Sequence, residues 1–388
     1  MSDESLLMIP GPVEISPAVQ AAFSVPPPSH TAPDLIAAFG SALERMRAVW
    51  KAPAGQPFIV AGSGTLAMEM AAANLVAAGD RVLVLKTGYF SDRMAEMLRR
   101  LGADLVEVEA EIGDAPDPEK VRQALGLYGG VRAVFATHVD TSTGVRLDPA
   151  PIARLARERR ILSVFDGVCA TAGEEFDMQG WGVDVYLTGS QKALAVPAGL
   201  ALMVVSDRAL EARRRLPGPP PLSLDWDAWL PIMKAYEEGR PSYFSTPATN
   251  LVLALDAALG EILERGLDET VDRHRQVAEG MRAAWAELAL EAIPVRPELA
   301  ANTLSALRFP SGVDGKLIAA IAERGVVVAG GLHPAIRQSY FRVGHLGHCV
   351  GQGEWLERTV RAVGEALADL GHEGDPEAAV AALSREIG

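Results

Sequence analysis

Between Pro57 and Val205 the chain repeats one unit, a short apolar run followed by a stretch with helical spacing. The strands read as Phe58-Ile59-Val60, Arg81 to Leu85, Asp104 to Glu109, Ala133-Val134-Phe135-Ala136, Ile161 to Phe165, Val183 to Leu187 and Ala201 to Val205, most of them apolar. Ala67 to Ala78, Ser91 to Leu101, Pro118 to Leu125 and Pro149 to Arg159 read as the intervening helices. Strands that are apolar almost throughout, with helices between them, form a mainly parallel sheet covered on both faces. Ligands of such sheets bind beyond the carboxyl ends of the strands. Polar side chains just past the ends of these runs are therefore the first candidates for chemistry.

The flanks follow other rules. Leu6 to Val25 is Pro-rich around Ile9-Pro10-Gly11-Pro12 and reads as an extended arm rather than a packed unit. Pro26-Pro27-Pro28-Ser29-His30 is a stiff loop, and Pro33 to Trp50 has the spacing of an amphipathic helix. The Pro-rich piece Leu216 to Leu222 ends the alternation, and Asn250 to Arg265 and Glu269 to Leu288 read as long helices. Beyond them come a strand at Leu304 to Phe309, a helix at Gly315 to Glu323, strands at Val326 to Val328 and Tyr340 to Val343, and a helix at Glu354 to Leu370. That is a small α+β unit, with a last helix from Pro376 to Glu386. The expected division is an arm over 1–25, a large domain over 26–250, and interdomain helices with a small domain over 251–388. At 388 residues the chain is long enough for that plan.

Charge and cysteine content exclude several classes. A net charge of -14 argues against nucleic acid or an anionic membrane as the main partner. Cys169 and Cys349 are the only cysteines, too few for a disulfide framework or a Cys-based zinc site. The acidic start Met1-Ser2-Asp3-Glu4-Ser5 lacks the basic and apolar regions of a signal peptide, and no apolar run reaches membrane-spanning length. A reducing cytoplasm is the expected location.

Three stretches carry chemistry. Ala61-Gly62-Ser63-Gly64-Thr65 lies between a strand and a helix, where exposed amides and the Ser63 and Thr65 hydroxyls can cup an anion. The same spelling also serves an ordinary capped strand–helix turn. It lacks the lysine of a P-loop and the third glycine of a dinucleotide fingerprint. Asp166 ends the Ile161 to Phe165 run, either capping the next turn or answering a buried cation. Lys192 follows it by 26 residues, past the next strand and at the same edge of the sheet. Desolvation or a neighbouring cation would lower its pKa and make it a nucleophile toward carbonyls.

An anion cup, then an aspartate, then a lysine is the order of fold-type I pyridoxal phosphate enzymes. The chain resembles class V aminotransferases, in particular the alanine–glyoxylate and serine–pyruvate aminotransferases, from Pro10 to about Gly347. The motifs that carry the resemblance are Gly62-Ser63-Gly64-Thr65-Leu66-Ala67-Met68-Glu69, Thr141-Ser142-Thr143-Gly144, Val164-Phe165-Asp166, Gly189-Ser190-Gln191-Lys192-Ala193-Leu194 and Arg342-Val343-Gly344-His345-Leu346-Gly347.

The resemblance implies an aspartate aminotransferase-like fold and pyridoxal 5′-phosphate as cofactor. It makes Lys192 the Schiff-base lysine and Asp166 the partner of the pyridine nitrogen. Ser63, Gly64 and Thr65 become the phosphate cup, with Gln191 as a further phosphate ligand and Thr141 reaching the ring oxygen. Phe90 would stack on one ring face and Val168 on the other. Arg342 would bind the substrate carboxylate, a task suited to its bidentate fork. Tyr243 and Thr246 would reach the phosphate of the neighbouring subunit in a homodimer with shared sites. His30 stands where relatives carry His-Arg, but Thr31 follows it here. The implied reaction moves an amino group from alanine or serine to glyoxylate or pyruvate. The alternatives are other class V reactions. An aspartate or hydroxyaspartate donor, or 2-aminoethylphosphonate, would need a second anion site from Arg93, Arg240 or Arg337. A cysteine desulfurase would need a mobile cysteine, and Cys349 is a poor fit.

Overall fold

The computed structural model describes residues 5–388. The signal-peptide reading of Met1–Glu4, and that part of the expected arm, lie outside the described residues. The first strand, β1 (Leu6–Leu7), pairs in parallel with β12 (Val326–Val327), far along the chain. The central sheet is built from β2 (Gln56–Ala61), β3 (Arg81–Lys86), β4 (Asp104–Glu109) and β5 (Val131–Thr137). A short hairpin of β6 (Val139–Asp140) and β7 (Val145–Arg146) follows. Then β8 (Leu162–Asp166), β9 (Val185–Gly189) and β10 (Leu200–Val205) complete the sheet in the order β2-β10-β9-β8-β5-β3-β4.

Only β10 runs against its neighbours. The expected mostly parallel sheet is therefore present. Every residue of β8, β9 and β10 is buried, as strands covered on both faces must be. Asp166 closes β8, paired with Thr137 of β5 and Leu187 of β9. Lys192 lies three residues beyond the end of β9. Parallel β8 and β9 thus deliver both side chains to one edge.

A second layer follows the helices Thr249–Arg265 and Leu267–Glu287. β11 (Leu304–Arg308), β13 (Ala329–Gly330) and β14 (Tyr340–Gly344) form an antiparallel sheet with β14 in the middle. Its core gathers Met281, Trp285, Phe341, Leu356 and Leu367. The larger core surrounds the central sheet. A small apolar cluster of Val139, Cys169, Ala170, Ala193, Ala301, Leu304 and Leu346 lies apart from both.

Three readings need correction. Leu6 to Val25 packs against the rest of the chain rather than standing as an unpacked arm. Met8 is fully buried in the C-terminal core, and burying a side chain of that size stabilises by roughly 1.5–3 kcal/mol. Pro17–Phe23 is a helix, with Ser16 Oγ accepting from Val19 N at 3.2 Å and proline at its start. The stretch after Leu222 also holds an unexpected helix, Trp226–Glu237, capped by Asp225. It buries Trp226, Trp229, Met233 and Tyr236, a helical spacing that Pro231 conceals. Finally, Val326–Val327 leaves the small sheet to pair with β1.

Candidate active site

Asp166 is 2% exposed. Its Oδ1 accepts from Val168 N at 2.9 Å, which ties the carboxylate to the turn after β8. Burial pushes its pKa up to about 7. The Val168 amide, Lys192 and Arg93 pull it down, while Asp140 pushes it up. Such a carboxylate is poised for a cationic partner.

Lys192 is also buried, and its Nζ donates to the carbonyl of Pro10. Burial lowers its pKa and nearby Arg342 adds to that, against the pull of Cys169 and Asp166. The packed N-terminal segment therefore has a role at the site. A Cβ on Gly11, at φ +90°, would meet Lys192 Cδ at 2.5 Å. Gly344 permits the same approach from β14, since a Cβ there would lie 2.2 Å from Ile9 O.

The Ser63–Thr65 turn opens the helix Gly64–Leu75. Ser63 Oγ accepts from Leu66 N at 3.4 Å, and the first amides of the helix have no acceptor within it. Close packing brings this turn to the others. A Cβ on Gly64 would strike Val168 Cγ2 at 2.6 Å. One on Gly189 would lie 2.7 Å from Gln191 Oε1 and 3.1 Å from Gly64 N. Gln191 Oε1 is buried without a hydrogen-bond partner, an orphan acceptor beside an amide-rich turn.

Phe90 stands at the start of the helix Tyr89–Arg100, partly buried. Asp140, which sequence reasoning missed, holds that end. Its Oδ2 accepts from Phe90 N at 3.1 Å and Ser91 N at 3.3 Å, and its Oδ1 from Ser142 N at 3.0 Å and Ser142 Oγ at 2.6 Å. Burial raises its pKa against these hydrogen bonds. Its signal was available, because an aspartate before Thr-Ser-Thr-Gly is a turn residue that bonds amides two places on. Thr141 is buried beside it, and its carbonyl accepts from Arg342 Nη1 at 3.0 Å. Arg342 Nε donates to Gly330 O at 2.9 Å, which fixes the guanidinium between the two sheets. Burial lowers the Arg342 pKa. Below Asp166, His138 Nδ1 meets Tyr186 Oη at 2.8 Å, and burial holds the histidine neutral with a pKa of about 3.

The structure thus brings together Ser63, Gly64, Thr65, Phe90, Thr141, Asp166, Val168, Gln191, Lys192 and Arg342. It does not bring Tyr243 or Thr246 to them. Both are exposed, Tyr243 at 63%, and the Tyr243 ring tilts against His30 at 5.4 Å. Of the cations considered for a second anion, Arg240 pairs with Glu238 at the surface and Arg337 is exposed, whereas Arg93 lines the cleft. Cys349 is buried, donates to Leu346 O at 3.3 Å, and has its thiol pushed up to about 12. That environment opposes a reactive thiolate.

Chemically, the cleft offers an amine that burial biases toward its neutral form, a carboxylate suited to a cation, an anion cup and a guanidinium fork. An aldehyde with a protonatable ring and a phosphate fits this donor set, because the free amides that open the helix Gly64–Leu75 are donors for the phosphate and Gln191 beside them carries a donor in its Nε2.

Comparison with known proteins agrees. The family model described as aminotransferase class-V matches residues 28–357. Alanine–glyoxylate aminotransferase 1 of Saccharomyces cerevisiae is 38% identical over 88% of this chain and 91% of its own length. L-aspartate–glyoxylate aminotransferase of Paracoccus denitrificans is 34% identical over 89% and 87%. Among solved structures, an alanine–glyoxylate aminotransferase from Nostoc sp. is 30% identical with a TM-score of 0.88, covering 95% of this chain and 96% of that one.

Proposed function

This chain belongs to the class-V aminotransferases and is a pyridoxal 5′-phosphate-dependent transaminase, and on that premise we propose that it moves an amino group from a small amino acid, alanine or serine, to glyoxylate or pyruvate. The observation that carries this reading is that Lys192 shares one buried cleft with Asp166 and Arg342, each within electrostatic reach of its amine.

The cofactor supplies an electrophilic aldehyde and an electron-accepting ring. Lys192 would hold it covalently, and the same amine, once released, would take the proton from the substrate's α-carbon and return it. Its lowered pKa fits that task. Asp166 would hold the proton on the pyridine nitrogen, and a cationic partner offsets the burial cost that now raises its pKa. Ser63, Gly64, Thr65 and Gln191 would hold the phosphate, and Thr141 the ring oxygen. Phe90 and Val168 would take opposite ring faces. Arg342 would bind the substrate carboxylate. Tyr243 and Thr246 would serve the partner subunit's phosphate in a homodimer. The proposed setting is the cytoplasm, where both buried free cysteines stay reduced.

Pro10 and Gly11 close directly on the Lys192 side chain. An acidic donor needs a second cation; Arg240 is paired at the surface, and Arg93 already donates once from each terminal nitrogen, to Thr65 and Tyr89. The test is a donor panel of L-alanine, L-serine, L-aspartate and 2-aminoethylphosphonate against glyoxylate, pyruvate and oxaloacetate. The largest kcat/KM is expected for alanine or serine with glyoxylate. Tenfold preference for L-aspartate would overturn the donor assignment, and absence of any transfer would overturn the substrate reading as a whole.

A further inference from the structure

We propose that Arg93 is a positioning residue for the phosphate end of the cofactor, acting through the hydroxyl of Thr65. The inference rests on the functional reading above, in which the Ser63–Thr65 turn receives that phosphate.

Arg93 lies three residues after Phe90 on the helix Tyr89–Arg100, so the two share a face. Its Nη1 donates to Thr65 Oγ1 at 3.0 Å, and its Nη2 donates to the Tyr89 hydroxyl at 3.1 Å. The guanidinium carbon lies 4.9 Å from the centre of the Tyr89 ring and 5.0 Å from that of Phe90. One side chain thus ties the anion cup to the aromatic wall.

The direction of the Thr65 contact is fixed by chemistry. A guanidinium has donors and no acceptor, so the Thr65 oxygen must accept. A hydroxyl has one hydrogen. With one of its two lone pairs taken by Arg93, that hydrogen is turned away from Arg93, free to donate to an anion in the cup. Without Arg93, the hydroxyl can rotate and spend its hydrogen elsewhere. Arg93 also spends these hydrogen bonds on two neutral hydroxyls rather than on a carboxylate. Its field reaches Asp166, where it favours the ionised carboxylate. The same positive charge favours a phosphate dianion nearby.

The role separates phosphate recognition from ring recognition, and the test uses that separation. Wild-type and Arg93→Met apoenzymes are titrated with pyridoxal 5′-phosphate and with pyridoxal, which lacks the phosphate. Arg93→Met is expected to weaken pyridoxal 5′-phosphate binding by roughly 10- to 100-fold, the scale of a hydrogen bond to a charged group. Pyridoxal binding is expected to change less than about 3-fold by the same reasoning. Arg93→Lys keeps the charge without the fork and should fall between the two. Thr65→Val and Arg93→Met should be strongly non-additive in a double-mutant cycle on pyridoxal 5′-phosphate affinity. Equal losses for both ligands would assign Arg93 to ring packing and overturn the proposal, as would additive losses in the cycle. If wild-type apoenzyme binds pyridoxal 5′-phosphate and both Arg93 variants bind it equally well, Arg93 alone is reassigned. If wild type fails to bind it, the cofactor reading itself falls.

Discussion

Lys192 and Tyr243 belong to one expected cofactor site, yet their surroundings are opposite. Lys192 sits in a floor where Pro10, Gly11, Asp166, Cys169 and Arg342 all come from the same chain. Tyr243 stands 63% exposed on a rim, against one histidine ring. The floor is held at an energetic cost, because burial opposes charge on Lys192, Asp166 and Arg342 alike. Titratable groups kept buried against that penalty are candidates for a working site. The rim carries no such penalty, and its residues are cheap to change as far as folding is concerned. What one chain must do for itself is therefore separable from what it can offer to another.

The hardest blow to the floor is Lys192→Ala. Turnover in half-reactions with L-alanine should fall by about 10²- to 10⁴-fold, the range for a lost general acid–base group. The absorbance band of covalently held cofactor should disappear. The fold should not suffer, because removing a buried amine also removes its desolvation penalty. Retained turnover would sever the floor from the chemistry.

Asp166→Ala comes next. Without this carboxylate nothing on the chain would hold the proton on the ring nitrogen, so the rate should fall by roughly 10²-fold or more, the scale of a lost proton-holding group. The cofactor should stay bound through its phosphate, and equilibrium dialysis would show it. Unchanged turnover would detach Asp166 from the ring nitrogen.

Much of the floor was legible in the sequence because it sits at strand ends. Asp166 ends a strand that is buried throughout and Lys192 follows the next one, so topology alone placed them together. Arg342 lies mid-strand in β14, where position along the chain carries no information about a cleft. Only the family motif singled it out. Asp140 was missed although its turn spelling offered a signal, and Arg93 entered only as a candidate for a second anion. The bonds from Asp140 to Phe90 N and from Arg93 to Thr65 join residues 50 and 28 places apart, and such pairings exist only once the chain is folded. The N-terminal segment misled because proline-rich spelling predicts an extended chain but says nothing of where that chain packs. Met8 in the C-terminal core and the Pro10 carbonyl on Lys192 are tertiary facts.

A smaller effect sharpens the buried side by pH. Glu174 follows Asp166 on the same loop, and its carboxylate accepts from Asn302 N at 2.5 Å and Asn302 Nδ2 at 2.8 Å, just before β11. It joins the β8 loop to the strand that pairs with the Arg342 strand. Burial pushes its pKa up to about 7, against the pull of Arg146 and Asn302. A raised carboxylate pKa means that the folded chain binds more protons than the unfolded one between about pH 4.5 and 7. Its contribution to stability is therefore complete below that window and is lost as pH rises through it. Glu174→Gln removes this dependence. The stability of the variant relative to wild type should climb across the window by up to about 3 kcal/mol and then level off. Urea unfolding of both apoenzymes at pH 5 and pH 8 measures it, and a difference that stays flat with pH would mean that Glu174 is not held in this state.

The smallest effect probes the rim. Tyr243→Phe removes one hydroxyl from an exposed side chain, so unfolding free energy should move by less than about 0.5 kcal/mol. Cofactor affinity should still weaken by about 3- to 10-fold, the worth of one hydrogen bond. Affinity alone does not say whose site the hydroxyl serves, but a hybrid does. Protomers carrying Lys192→Ala are mixed with protomers carrying Tyr243→Phe and reassociated. If the rim serves the other subunit, the intact Lys192 in a hybrid dimer faces an intact tyrosine from its partner, and one of the two sites in each hybrid regains wild-type affinity. If the rim serves its own chain, every intact Lys192 remains beside a phenylalanine and no site recovers. Recovery at one site per hybrid dimer would establish the division between floor and rim as a division between subunits. No recovery would return Tyr243 to the loop contact with His30 that it already makes.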